Sequence, residues 1–184
     1  YCHCKIPVRG FFIEIFGGVI GVFCFYRFGF EYETILMFVI AMILLAITMI
    51  DFDTMTIPDG LNMTMFLVCL VLMFVRQMSL VDSIIGMFCI SLPMFLLNLV
   101  IPDSFGGGDI KLMFASGIAL GWKYSLLAAF IGILIAGIYC IYLILTKKVD
   151  KKGHIAFGPY LSIGIFIALC YGYEIISWYL NLLM

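Results

Sequence analysis

Long apolar runs dominate this sequence and leave it few ways to fold. They cover residues 11–30, 34–50, 61–77, 83–101, 124–146 and 159–182, with a shorter one at 110–122. The hydrocarbon core of a bilayer is about 30 Å thick, and a helix needs around 20 apolar residues to cross it. Hydrophobic residues make up 65% of the chain and charged ones 11%, against about 45–50% and about 25% in soluble domains. A water-soluble globule could not cover so much apolar surface. The expectation is therefore an all-α fold, a polytopic transmembrane bundle of about seven helices with lipid as its first partner. The net charge of −1 gives no basic field for nucleic acid.

Cations set the orientation of such a bundle. The strongest cluster is Lys147, Lys148, Lys151 and Lys152, followed by His154. At 1.5 Å per residue the 110–122 run reaches only about 20 Å, so it spans if the bilayer is locally thinned or the preceding loop dips inward. With that run spanning and the lysines in the cytoplasm, Lys5 and Arg9 also fall inside. Gly121-Trp122-Lys123 then lies outside, and Asp51–Gly60 and Gly106–Asp109 lie inside. Asp51, closing the second span, and Asp109, opening the fifth, thus share the cytoplasmic boundary.

An acid inside a membrane span costs roughly 2.5–3.5 kcal/mol near the centre and less towards the interface, so two at one depth mark a candidate site. Asp51 continues the helix of Leu44–Ile50 and projects from its last turn. Downstream, Pro58-Asp59-Gly60 is turn chemistry. Asp59 either caps a helix beginning near Leu61 or supports the site, and Asp53 faces solvent or headgroups. In the second segment, Gly106, Gly107 and Gly108 permit positive φ and close backbone approach, which suits an extended peptide. Their bland reading is a flexible linker with Asp109 capping the next helix. Lys111 neutralises a carboxylate or contacts headgroups. If Asp51 and Asp109 meet, they can hold one proton between them near neutral pH. The ionised acid then takes a proton from water, and the protonated acid donates to the scissile carbonyl and the leaving amine. His3 and His154 are the only histidines, neither beside a serine, and no H-E-x-x-H or phosphate loop is present.

Other polar features carry less. Cys24, Cys69, Cys89, Cys140 and Cys170 lie in apolar runs as small hydrophobes. Cys2 and Cys4 flank His3 in a polar leader, either as unpaired thiols or as part of a zinc knuckle. The chain begins with Tyr1 rather than Met and is expected to be the later part of a longer protein. Two other functions fit apolar helices with acids. One is a proton- or ion-coupled transporter using Asp51 and Asp109. The other is an assembly subunit in which Gly132 and Gly137 pack helices.

Three segments together resemble the type IV prepilin peptidases, bacterial G-x-G-D aspartic membrane proteases distantly similar to archaeal preflagellin peptidases and presenilin. They are Ile50-Asp51 with Ile57-Pro58-Asp59, Gly106-Gly107-Gly108-Asp109-Ile110-Lys111-Leu112, and Ala156-Phe157-Gly158-Pro159-Tyr160. The resemblance covers nearly the whole chain. It implies that residues 1–10 are the remnant of a cytosolic Cys-rich segment and that 11–184 form the peptidase domain. It makes Asp51 and Asp109 the catalytic pair, with Asp59, Gly106, Gly107, Gly108 and Lys111 binding substrate or supporting the site. It also implies a bacterial cytoplasmic membrane location, with leader removal from prepilin or pseudopilin substrates at the cytoplasmic face. Peptidolysis needs no cofactor. Methylation of the new terminus with S-adenosylmethionine, and a zinc site to which Cys2 would belong, attach to the full-length protein. Asp53, Asp59 and Asp103 would add negative potential for a basic leader.

Overall fold

The computed structural model describes residues 8–102, 104–146 and 156–183, and every regular element among them is helical. The order is α1 (Val8–Phe28), α2 (Tyr32–Thr54), α3 (Asp59–Val75), α4 (Leu80–Val100), α5 (Gly107–Leu145) and α6 (Gly158–Leu183). Four of them, α2, α4, α5 and α6, are long and apolar enough to cross a membrane, whereas α3 is a shorter apolar helix. Large apolar side chains such as Val22, Phe74, Phe130 and Ile138 cover the outside. That is the surface of a protein solvated by lipid rather than water.

α5 is two limbs. Gly121 interrupts it with φ 66° and ψ 178°, a conformation that only glycine adopts without strain. A Cβ there would lie 2.6 Å from Asp82 Oδ2, at the start of α4. The chain reverses at this point. Tyr124 lines a cavity with Arg76 at the far end of α3. Further along, Ile133 lines another with Phe105 and Phe157, beside the glycine motif. The 110–122 run is therefore a separate short limb, and the six helices make seven helical segments, as the sequence predicts.

Small residues let the helices close up. A Cβ on Gly86 would strike the Gly117 carbonyl oxygen, and one on Gly117 would strike that of Gly86, so α4 and the first limb of α5 cross backbone on backbone. Gly132 packs against the backbone of Tyr160 and Leu161 on α6, while Gly137 faces open space. Gly86→Ala is expected to cost about 1–3 kcal/mol, because two main chains cannot yield as a side-chain tip can. Denaturant unfolding in detergent measures this, and an unchanged midpoint would mean the two helices part freely.

The far end is tied by guanidinium groups. Arg76 Nε donates to Glu33 Oε1 at 2.8 Å, and its Nη2 donates to the Leu169 carbonyl at 3.2 Å. Arg27 Nη2 reaches the adjacent Cys170 carbonyl at 3.1 Å and pairs with Glu174. α1, α2 and α3 are thereby fastened to successive carbonyls of α6. The five thiols of the apolar runs are free, with Cys24, Cys69 and Cys170 buried and Cys89 and Cys140 half-buried.

Candidate active site

At the opposite end, α2 stops one turn after Asp51. Met55 takes the left-handed conformation, φ 51° and ψ 31°, and its N–H bonds the Asp51 carbonyl at 2.9 Å, a one-bond αL cap. The chain then runs through Ile57 and Pro58 into α3. Pro58 is the N-cap of α3 and no side chain caps that end. The capping alternative for Asp59 is therefore not what forms. Asp59 lies inside the first turn and pairs with Lys111 Nζ at 2.6 Å. Lys111 correspondingly meets a carboxylate, and the negative charge expected from Asp59 is offset by it.

The glycine motif forms the start of α5. Gly106 is the N-cap, with φ −63° and ψ 136°, and the Asp109 N–H bonds its carbonyl at 3.0 Å. Asp109 is thus in the first turn and not itself the cap. None of the three glycines has positive φ, which corrects that part of the expectation. What two of them supply is closeness. A Cβ on Gly106 would lie 2.9 Å from Asp109 Oδ2, and one on Gly108 would lie 2.7 Å from Ile57 Cβ. Gly107 is exposed beside open space. Asn98 Oδ1, at the end of α4, accepts from the Phe105 N–H at 3.4 Å and holds the loop.

Asp51 and Asp109 are both buried, with 4% and 6% of their surface exposed, so neither is an ordinary boundary acid projecting into water. Asp51 Oδ2 accepts the Gly158 N–H at 3.0 Å. That donor belongs to the first residue of α6, where main-chain N–H groups have no partner within the helix. A Cβ on Gly158 would sit 2.7 Å from Asp51 Oδ2 and 3.3 Å from Ile57 Cδ1. Ile57 is therefore a wedge between Gly108 on one side and Gly158 on the other. Asp109 Oδ1 is buried without a hydrogen-bond partner among the described residues, and the charge of Asp51 bears on it electrostatically. The structure brings Asp51, Asp109, Gly106 and Gly108 together, with Asp59 and Lys111 paired at the rim.

The sequence reading gave Gly158 and Phe157 only as part of a supporting motif and assigned Ile57 no role. The ring centroids of Phe105 and Phe157 stand 5.8 Å apart, over an apolar cavity of about 170 Å³ that Met94, Leu97 and Leu161 help to line. Larger cavities, of about 560 and 490 Å³, lie at the far end of the bundle. Chemistry rather than size marks the site. Cys2, Cys4 and His3, the lysine cluster of residues 147–152, and Asp103 lie outside the described residues. Among the described residues no group of three or more His, Cys, Asp or Glu is placed to hold a metal.

The sequence profile of the type IV leader peptidase family matches residues 38–141, which contain both acids and the glycine motif. Similar curated proteins carry the name prepilin leader peptidase/N-methyltransferase. The one from Aeromonas salmonicida (strain A449) is 29% identical over 189 residues, covering 100% of this chain and 65% of the relative. Another, from Legionella pneumophila, is 30% identical over 98% of this chain and 65% of the relative. A third, from Bacillus subtilis (strain 168), is 30% identical over 85% and 63%. The chain spans about 65% of the length of the first of these relatives. No solved structure matches it. With the profile covering more than half of its residues and a bundle sheathed in apolar side chains, this chain is an integral membrane protein and belongs to the type IV leader peptidase family.

Proposed function

We propose that this protein is an aspartic endopeptidase that removes the leader from prepilin- or pseudopilin-like precursors at the cytoplasmic face of the bacterial inner membrane, with Asp51 and Asp109 as the catalytic pair. One observation carries the reading: two buried acids from separate helices lie at one end of the bundle, on either side of Ile57 and packed against glycines. Asp51, which accepts a main-chain N–H at a helix N-terminus, suits the ionised role of taking a proton from the attacking water. Asp109, with an oxygen left without a partner, suits the role of giving its proton to the carbonyl oxygen. As the tetrahedral intermediate collapses Asp109 takes that proton back, and the proton that Asp51 removed from water passes to the departing amine. Electrons move from the water oxygen to the carbonyl carbon, and the C–N bond breaks as the amine leaves protonated.

Three further features support a peptide as substrate. Gly107 leaves open space beside the pair, so an extended main chain can approach. The apolar cavity under Phe105 and Phe157 offers room for an apolar side chain next to the scissile bond. The relatives' names carry prepilins as substrate. Those names also carry an N-methyltransferase activity, on which the peptidase reading does not depend. Placement at one end of the bundle, in the last turn of α2 and the first of α5, favours hydrolysis over ion conduction, where acids belong near the midplane. The test is leader release from a prepilin-like substrate by the purified protein in lipid bilayers. Absence of cleavage together with proton- or ion-dependent flux would replace this reading with the transporter.

A further inference from the structure

Asn62 is a polar side chain one turn into the apolar helix α3, and it is 5% exposed. Its Nδ2 donates to the carbonyl of Gly108 at 3.3 Å. Its Oδ1 is buried without a hydrogen-bond partner among the described residues. A buried carboxamide whose oxygen has no partner is destabilising, so stability alone would favour an apolar residue here. The one bond it makes falls on the residue before Asp109. Gly108 is closely held: the Ile57 side chain fills the space where its Cβ would be, and the Asn62 amide takes its carbonyl. That carbonyl lies in the first turn of α5, so whatever fixes it fixes the backbone from which the Asp109 carboxyl projects.

We propose that Asn62 is a positioning residue of this site, acting through the Gly108 carbonyl to set the orientation of Asp109. The role rests on the peptidase reading for its catalytic consequence but not for its geometry. The neighbouring tie differs in kind. Lys111 and Asp59 are paired at the exposed rim, with 57% and 75% of their side chains accessible, where an ion pair adds little. The Asn62 bond is inside, one residue from the acid.

Two variants with the same number and branching of side-chain heavy atoms test this. Asn62→Leu removes the donor and the unmet acceptor together. The expected result is a kcat about 10- to 100-fold lower, the order of effect of a displacement near 1 Å, with KM within about twofold and an unfolding temperature equal to or above that of the parent. A packing role predicts the reverse, a lower unfolding temperature with kcat per folded molecule unchanged. Asn62→Asp places an acceptor against the Gly108 carbonyl when ionised and restores a donor when protonated. Its activity relative to the parent at each pH should therefore rise as pH falls, whereas a structural role leaves that ratio flat.

A readout without substrate separates this inference from the peptidase reading. The infrared band of the Asp109 carboxyl group, assigned by its loss in Asp109→Asn, should shift in frequency and in titration midpoint in Asn62→Leu. If the parent protein cleaves nothing yet the band moves, the peptidase reading fails and the positioning role stands. A band left in place, with kcat within twofold of the parent, overturns the role of Asn62. If Asn62→Leu does not fold, the pH-dependent ratio and the infrared band of Asn62→Asp decide.

Discussion

Replacing either Asp51 or Asp109 by Asn is expected to lower leader cleavage at least about 10³-fold while leaving the protein folded. Positioned acid–base groups contribute about 10²–10⁴ each, and here each acid also sets the proton of the other. Residues that work as a unit are not additive, so the double variant should be no slower than the worse single one. Stability should hold or rise. An Asn at position 51 still offers an oxygen to the Gly158 N–H and removes a buried charge, and an Asn at 109 replaces a neutral acid by a neutral amide. Cleavage rates of a prepilin-like peptide and unfolding temperatures in the same lipid preparation measure both halves. Near-parental cleavage by either single variant would remove the dyad and leave the acids as structural features.

Gly158→Ala should cost about 10²-fold in cleavage with little loss of stability. The added Cβ would lie 2.7 Å from Asp51 Oδ2, closer than real contacts allow. Because the atom it meets is the tip of a side chain, the carboxylate can swing away, and the fold is spared. Moving that oxygen loosens its bond to the Gly158 N–H and takes the proposed base out of line with the water, where a displacement near 1 Å is worth about 10²-fold. Gly86→Ala is the contrast, since there main chain meets main chain and stability falls. Unchanged kcat in Gly158→Ala would mean that the acid is not held by the start of α6. A collapse of folding in place of a rate loss would make Gly158 a packing residue.

Part of this could be read before any fold was known. Asp51 and Asp109 stand out because acids at the ends of apolar runs carry an energetic cost, and cation placement puts them at one boundary. The reversal at Gly121 follows from a run too short to cross alone, needing a break before the next. Asp59 was open between capping and support, because Pro58 and Gly60 around it are compatible with either. What excluded capping was a helix that already begins at Asp59, with Pro58 as its N-cap, and the partner Asp59 takes instead, Lys111, lies far away in sequence. Asn62 carried a legible signal, a carboxamide in an apolar helix, but nothing local says which carbonyl it meets.

Sequence by itself determined that this chain is a helical bundle in lipid with two acids at the same depth, since hydrophobic run length and charge placement act locally along the chain. Only the tertiary structure decided what surrounds those acids. The wedge of Ile57 between Gly108 and Gly158, the main-chain donor on Asp51 and the carboxamide on Gly108 each join segments from different helices. Such contacts depend on how closely backbones approach, and that distance is fixed by the packing of the whole bundle rather than by any one run of residues.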